Sequence, residues 1–195
     1  WANENNLTSE LDVKLKGSNL TLKSGFNEST MNINNVNNLI LEKNSRITLP
    51  QNGEFEAENV TLNKGSVIDF RYMNSDPTIN GNFAGVDNIS DPQEGGGVIL
   101  DTDQTLHING RVSGLTRLNS NGVENMKVFK DGHNYIIADK DSTGEFSIDG
   151  SQYTTKYELN KSYNENSVLW TIESISSLDN FGSFKLLDGD YKIIN

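Results

Sequence analysis

The feature that most restricts this chain is a repeat. Asn38 to Leu49 reads N-L-I-L-E-K-N-S-R-I-T-L, and Asn59 to Phe70 reads N-V-T-L-N-K-G-S-V-I-D-F. Laid over each other at an offset of 21 residues, both follow N-[LV]-x-L-x-K-x-S-x-I-x-[LF]. A shorter copy is Asn19-Leu20-Thr21-Leu22-Lys23-Ser24-Gly25, and a looser one runs from Val98-Ile99-Leu100 through Leu106-His107-Ile108. Each copy carries two short alternating strands, such as Leu39-x-Leu41 and Ile47-x-Leu49, around a polar corner. Such a unit cannot bury its apolar face alone and must stack on its neighbours. The expectation is an all-β chain, a right-handed parallel β-solenoid in which Leu41 stacks on Leu62, Ile47 on Ile68 and Ser45 on Ser66. Adjacent strands would lie about 4.8 Å apart. The abundant Asn serves turns, because it tolerates left-handed backbone, and in register it can form amide ladders between layers.

The period breaks twice. Arg71 to Gly97 carries Asp76-Pro77, Asp91-Pro92 and Gly95-Gly96-Gly97, all turn formers, and reads as a long excursion from the stack. If it is one, replacing Asn74 to Gly96 by a short linker leaves stability largely intact. After Gly122 the texture becomes richer in aromatics, with Tyr135-Ile136-Ile137, Phe146-x-Ile148, Tyr157-x-Leu159 and Val168-Leu169-Trp170-Thr171-Ile172. A stack needs a terminal element over its open last layer, since bare strand edges recruit other chains. The expected organisation is therefore 1–122 as coils with a 71–97 insertion, and 123–195 as the last coils and a C-terminal β cap. Near the start, Lys16-Gly17-Ser18 reads as a turn between two strands. No helical periodicity stands out; the nearest candidate is Glu173 to Asn180.

Charge narrows the partners. The formal net charge is −11 in 195 residues. Phosphate backbones need clustered Lys and Arg, so nucleic acid is disfavoured, as is adsorption to an anionic membrane. No apolar run reaches the ~18 residues of a spanning helix. There are no cysteines, hence neither disulfides nor thiolate metal sites. The chain opens on Trp1 and reads as an excised piece of a longer, multidomain protein.

Three features, taken in order, resemble bacterial surface adhesins: the imperfect β-coils; Ile108-Asn109-Gly110-Arg111-Val112-Ser113-Gly114-Leu115-Thr116-Arg117-Leu118; and Gly144-Glu145-Phe146-Ser147-Ile148-Asp149-Gly150 with Tyr157-x-Leu159 and Trp170-Thr171-Ile172. The series is similar to the last coils of β-helical autotransporter passengers and to adhesive β-helix modules of wall-anchored Gram-positive surface proteins. The resemblance implies an extracellular, cell-surface location and non-enzymatic adhesion to a glycan or a host protein.

Candidate sites follow from chemistry. Loops on a rigid scaffold are where binding resides. In the 71–97 segment Tyr72 offers a stacking face, and Asp76, Asp87 and Asp91 accept hydrogen bonds from hydroxyls or ammonium groups. Asp101 and Asp103, on one strand face, complete the expected ligand-binding set. Paired carboxylates near His107 and Arg111 could also serve a β-helix lyase or hydrolase of polysaccharide, although no catalytic motif of such a family is present. A third alternative is a structural spacer. Asp139-Lys140-Asp141-Ser142-Thr143-Gly144-Glu145 begins like a calcium loop but has Gly150 where the closing Glu belongs, so a polar turn without metal is expected at Asp139, Asp141 and Glu145. His107 and His133 stand apart and make no zinc site. Phe83, Tyr153, Tyr157 and Tyr163 are further aromatics that could stack on sugars or simply pack. No cofactor and no catalytic residue is expected.

Overall fold

A computed structural model describes residues 11–28, 30–118, 129–148, 151–152, 155–176, 186–187 and 193–194. Among them the chain is all-β, built from parallel sheets. One sheet has eleven strands and a second has six. The chain alternates between the two. β1 (Leu11–Leu22), β3 (Met31–Leu41), β5 (Phe55–Leu62), β7 (Thr78–Ile79), β8 (Phe83–Ala84), β10 (Leu106–Ile108), β11 (Val112–Ser113) and β13 (His133–Asp139) belong to the first sheet. β2 (Asn27–Glu28), β4 (Arg46–Thr48), β6 (Val67–Asp69), β9 (Gly96–Ile99), β12 (Leu115–Leu118) and β14 (Glu145–Ser147) form the second. A layer is thus a first-sheet segment, a turn, a second-sheet strand and a return turn.

The repeat is the register. Leu39 pairs with Val60 and Leu41 with Leu62 in β3–β5, and Ile47 pairs with Ile68 in β4–β6, all parallel. Alternation turns Leu39, Leu41, Ile47, Leu49, Leu62, Ile68 and Phe70 inward, each fully buried in one core. The conserved spacing of Ser45 and Ser66 has a local cause. Each hydroxyl donates to the carbonyl three residues back, Glu42 at 2.6 Å and Asn63 at 2.7 Å, closing the corner. Ser142 repeats the device on Asp139 at 2.6 Å. A left-handed residue precedes Phe26, Ser45 and Ser66 at three successive corners, Gly25, Asn44 and Gly65, with φ of 77°, 59° and 70°. An amide ladder runs up the side of the stack. Asn38 Nδ2 donates to Asn19 Oδ1 at 2.7 Å and Asn59 Nδ2 to Asn38 Oδ1 at 3.1 Å. It continues through backbone donors, Asn82 N to Asn59 Oδ1 and Arg111 N to Asn82 Oδ1, both 2.8 Å.

Two expectations change. Lys16-Gly17-Ser18 does not end a strand; β1 is continuous, and its register slips between Lys14 and Ser18, a bulge opposite the left-handed Asn35. The 71–97 segment is not an excursion throughout. β7 and β8 lie inside it, pairing Ile79 with Ala57 and Phe83 with Val60, and then Ile79 with Ile108 and Phe83 with Val112. The sequence hides this layer because the offset between partners stretches: Leu39 to Val60 spans 21 positions, Val60 to Phe83 spans 23, and Phe83 to Val112 spans 29. The added length is accommodated in turns. Asn63 to Ser66 closes one corner, whereas the equivalent stretch after Ala84 runs to Gly95, including one turn of 3-10 helix at Pro92–Glu94. The domain boundary expected at 122/123 lies outside the described residues. Parallel stacking resumes after it, with β13 on β10 and β14 on β12. Pairing turns antiparallel at β17 (Ser167–Ser176), which lies along β13 and carries β16 (Thr155–Tyr163) on its far side. Of the helical candidate Glu173 to Asn180, Glu173 to Ser176 belong to that strand, and 177–180 lie outside the described residues. Asp149 and Gly150 of the C-terminal motif lie outside the described residues.

Leu62 tests the core. Truncating it removes a fully buried side chain from the middle of a stacked column, and close-packed neighbours collapse only in part. Leu62→Ala is expected to cost ~2–5 kcal/mol in chemical denaturation.

Candidate functional site

Two polar corners, 70–77 and 100–105, meet at a cleft of about 470 Å³. Met73, Asn74, Ser75, Asp76, Asp101, Asp103 and Gln104 line it. Three of the six expected binding residues are therefore brought together, from stretches some 25 positions apart.

Gln104 holds the cleft in shape. It is 7% exposed, and its amide nitrogen donates to the carbonyls of Phe70 at 2.8 Å, Ser75 at 3.2 Å and Met73 at 3.4 Å. Its amide oxygen accepts from Asp101 N at 2.7 Å. One side chain thus ties the two turns that carry the carboxylates. Asp76 accepts from Thr105 N at 3.0 Å and lies 3.6 Å from His107 Nε2. Asp101 accepts from Thr102 N at 2.8 Å. Asp103, largely exposed, pairs with Lys130 at 3.0 Å. Beneath them Tyr135 is buried; its hydroxyl accepts from Lys130 N at 2.8 Å and donates to Thr102 O at 2.9 Å. Burial pushes the Tyr135 phenol up to about 12, and the charges of Asp103 and Asp101 push the same way against the Lys130 amide. It remains a protonated donor across the physiological range. His133 Nε2 donates to Gln104 O at 2.8 Å, a contact that places a proton on that nitrogen.

Gln104→Ala would remove the donor shared by the carbonyls of Phe70, Met73 and Ser75, of which Phe70 keeps the Met73 N–H, and the acceptor of the Asp101 amide. An unsatisfied buried group costs about 1–3 kcal/mol. The expected result is a melting temperature lowered by several degrees, with amide exchange accelerated at 70–76 and 100–105, the two turns it joins.

The remaining expected residues lie elsewhere. Asp87 and Asp91 belong to the opposite corner, between β8 and β9, where Asp91 accepts from Gln93 N at 2.9 Å and caps the 3-10 turn. They do not reach the cleft of Asp76, Asp101 and Asp103, because the 71–97 segment crosses the first sheet in between. Tyr72 is 49% exposed and lines a separate cleft of about 360 Å³ with Arg46, Asp69 and Arg71. Of the other aromatics, Phe83 and Tyr157 are buried packing residues, Tyr163 is exposed, and Tyr153 lies outside the described residues. At the calcium-like loop Arg111 sits 3.9 Å from Asp139 and 3.6 Å from Asp141. Glu145 turns to Lys161 at 2.9 Å. Among the described residues no group of three or more His, Asp or Glu converges as metal ligands.

Sequence reading missed Gln104, Lys130, Tyr135 and the His107–Asp76 approach. His107 is set beside Asp76 by its pairing with Thr78, a register within the stretch taken for a loop. Gln104 carries no motif. Its one available signal is a lone amide between two turn-forming aspartates and a strand.

Fold and site together define an all-β protein of stacked parallel sheets that carries a carboxylate-lined cleft at one corner. No protein-family model matches the sequence, no curated protein matches it, and no solved structure matches the fold.

Proposed function

We propose that this chain is a right-handed parallel β-solenoid with a C-terminal β cap, and that it serves as a non-enzymatic ligand-binding module of a bacterial cell-surface adhesin. Support for the solenoid comes from the alternation of the chain between two parallel sheets and from the matched columns of buried Leu and Ile. The cap corresponds to the antiparallel β16–β17 hairpin at the end of the stack. Support for binding comes from one observation above others: Asp76, Asp101 and Asp103 share a cleft whose shape is held by the buried Gln104. A preformed site with a few placed polar groups limits the entropy lost on binding. Its carboxylates suit a glycan hydroxyl array or cationic side chains of a host protein, in keeping with a net charge of −11.

The test is a binding screen of neutral glycans and matrix proteins, with and without calcium, followed by Asp103→Asn. That exposed residue contacts Lys130 and carries little of the fold. A ligand whose affinity falls at least tenfold in Asp103→Asn supports the reading. A screen without hits, or a ligand indifferent to Asp103, favours a spacer and sinks it.

The same cleft gives one observation for a second reading. Carboxylates of one cleft, Asp103 paired with Lys130 and Asp76 beside His107, are the elements of a polysaccharide lyase or hydrolase. Release of new reducing ends from acidic or neutral polysaccharides, abolished in Asp76→Asn and Asp103→Asn, would move the assignment to catalysis.

A further inference from the structure

Four asparagines in this chain are followed by glycine: Asn52-Gly53, Asn80-Gly81, Asn109-Gly110 and Asn121-Gly122. In such a pair the side-chain amide can be attacked by the next backbone nitrogen, because glycine has no Cβ to hinder the approach. The last pair lies outside the described residues. The other three asparagines are all exposed, so access of solvent does not tell them apart. What differs is the work of releasing the glycine nitrogen.

At Asn80 and Asn109 that nitrogen belongs to the stack. Gly81 N donates to Glu58 O of the preceding layer, and Gly81 O accepts from Gly110 N of the following one. Gly110 O accepts in turn from Asp139 N, while Asn80 N and Asn109 N donate to Ala57 O and Ile79 O. Space is closed as well: a Cβ on Gly81 would fall 2.6 Å from Glu58 O, and one on Gly110 would fall 2.4 Å from Gly81 O. Neither peptide rotates without unzipping bonds between layers. Asn52-Gly53 sits instead in the turn between β4 and β5. Gly53 N donates to Pro50 O at 2.8 Å, a bond confined to that turn. The three atoms nearest a Cβ on Gly53 all belong to Pro50. Asn52 holds a left-handed φ of 56°, and its Oδ1 accepts from Asn74 Nδ2. Opening this turn gives up one backbone bond and one side-chain bond at the surface and leaves the ladders between layers intact.

We infer that Asn52 is a site of spontaneous covalent modification, deamidation through a succinimide, and that the fold protects Asn80 and Asn109 from the same reaction. The Gly53 nitrogen bonds to Asn52 Cγ and gives up its proton to solvent, and the side-chain nitrogen leaves as ammonia. Water then opens the ring at one carbonyl or the other, giving isoaspartate or aspartate. One water is taken up and one ammonia released, with no oxidant or reductant. Either product puts a carboxylate beside Asn74, which lines the cleft of Asp76 and Asp103. The inference stands whatever that cleft binds. The test keeps the whole folded chain in mildly alkaline buffer and follows peptides containing residues 52, 80 and 109 by mass spectrometry, beside a sample unfolded in guanidinium. In the folded chain Asn52 should convert at least about tenfold faster than Asn80 or Asn109, because only its turn opens without the stack. In guanidinium the three rates should come within about threefold of one another, since the ladders are gone. A smaller gap in the folded chain would overturn the inference by showing that the turn is no weaker than the stack. A gap of the same size in guanidinium would overturn it too, because local sequence and not the fold would then set the rates.

Discussion

Trp170→Ala is expected to cost about 3–5 kcal/mol, the range for removing a large buried aromatic. Trp170 is 1% exposed on β17 and meets Phe146 of the last parallel layer edge-on, centroids 5.0 Å apart; Phe146 in turn stacks on Phe83 of an earlier layer at 5.9 Å. The indole thus packs the antiparallel hairpin onto the core. Lys161 covers its outer face at 5.3 Å. Burial, the largest single influence, lowers the Lys161 pKa, but the hydrogen bond and charge of Glu145 together with Tyr163 outweigh it and hold the group above its ordinary value, so the cover remains cationic at neutral pH. The indole N–H is buried without a partner among the described residues, a cost the packing must exceed. Trp170→Phe should therefore be far milder than Trp170→Ala. Thermal melts would show the difference, and Trp170→Ala should also gain concentration-dependent association as the end of the stack opens. Equal melting of the two variants would show that the hairpin does not close the core through this side chain.

Replacing Asn74 to Gly96 by a short Gly-Ser linker is expected to abolish cooperative folding. The deletion removes β7 and β8, and with them the buried Ile79 and Phe83. Losing those two side chains alone costs roughly 5–10 kcal/mol. That is the size of a domain's whole stability, about 5–15 kcal/mol. It also leaves β5 without a parallel partner on the side of β10 and β11. Replacing only Asp87 to Gln93 should instead leave the melting temperature within a few degrees, because that stretch is a surface turn between Gly85 and Gly95. Circular dichroism melts of both variants decide the matter. A folded, cooperative 74–96 deletion would show that the middle layer is dispensable, as the sequence period alone suggests.

The contrast between those two deletions shows what was legible. Asn38 to Phe70 announced its own register, since a strict 21-residue offset with Leu41 over Leu62 and Ile47 over Ile68 admits one parallel alignment. The serine corners and the amide ladder were implicit in the same columns. The layer of Thr78 to Ala84 was not legible, because two strands of two residues carry too little alternation to register, and their spacing to either neighbour is stretched by longer turns. The site suffered from the same blind spot. Asp101 and Asp103 could be picked from their spacing, and Asp76 from its turn, but grouping them with Asp87 and Asp91 assumed one loop where the chain crosses a sheet.

Local chemistry written along the chain determined the strands, the corners and the stacking of identical positions, because each is a property of neighbours or of a fixed period. Only the tertiary structure decided which turns share a corner. That choice placed Gln104 against the carbonyls of Phe70, Met73 and Ser75, set Arg46 and Arg71 around Asp69, and separated Tyr72, Asp87 and Asp91 from the cleft of Asp76, Asp101 and Asp103. Such contacts depend on how much chain each intervening turn absorbs, a length that stacking energy tolerates and no motif encodes.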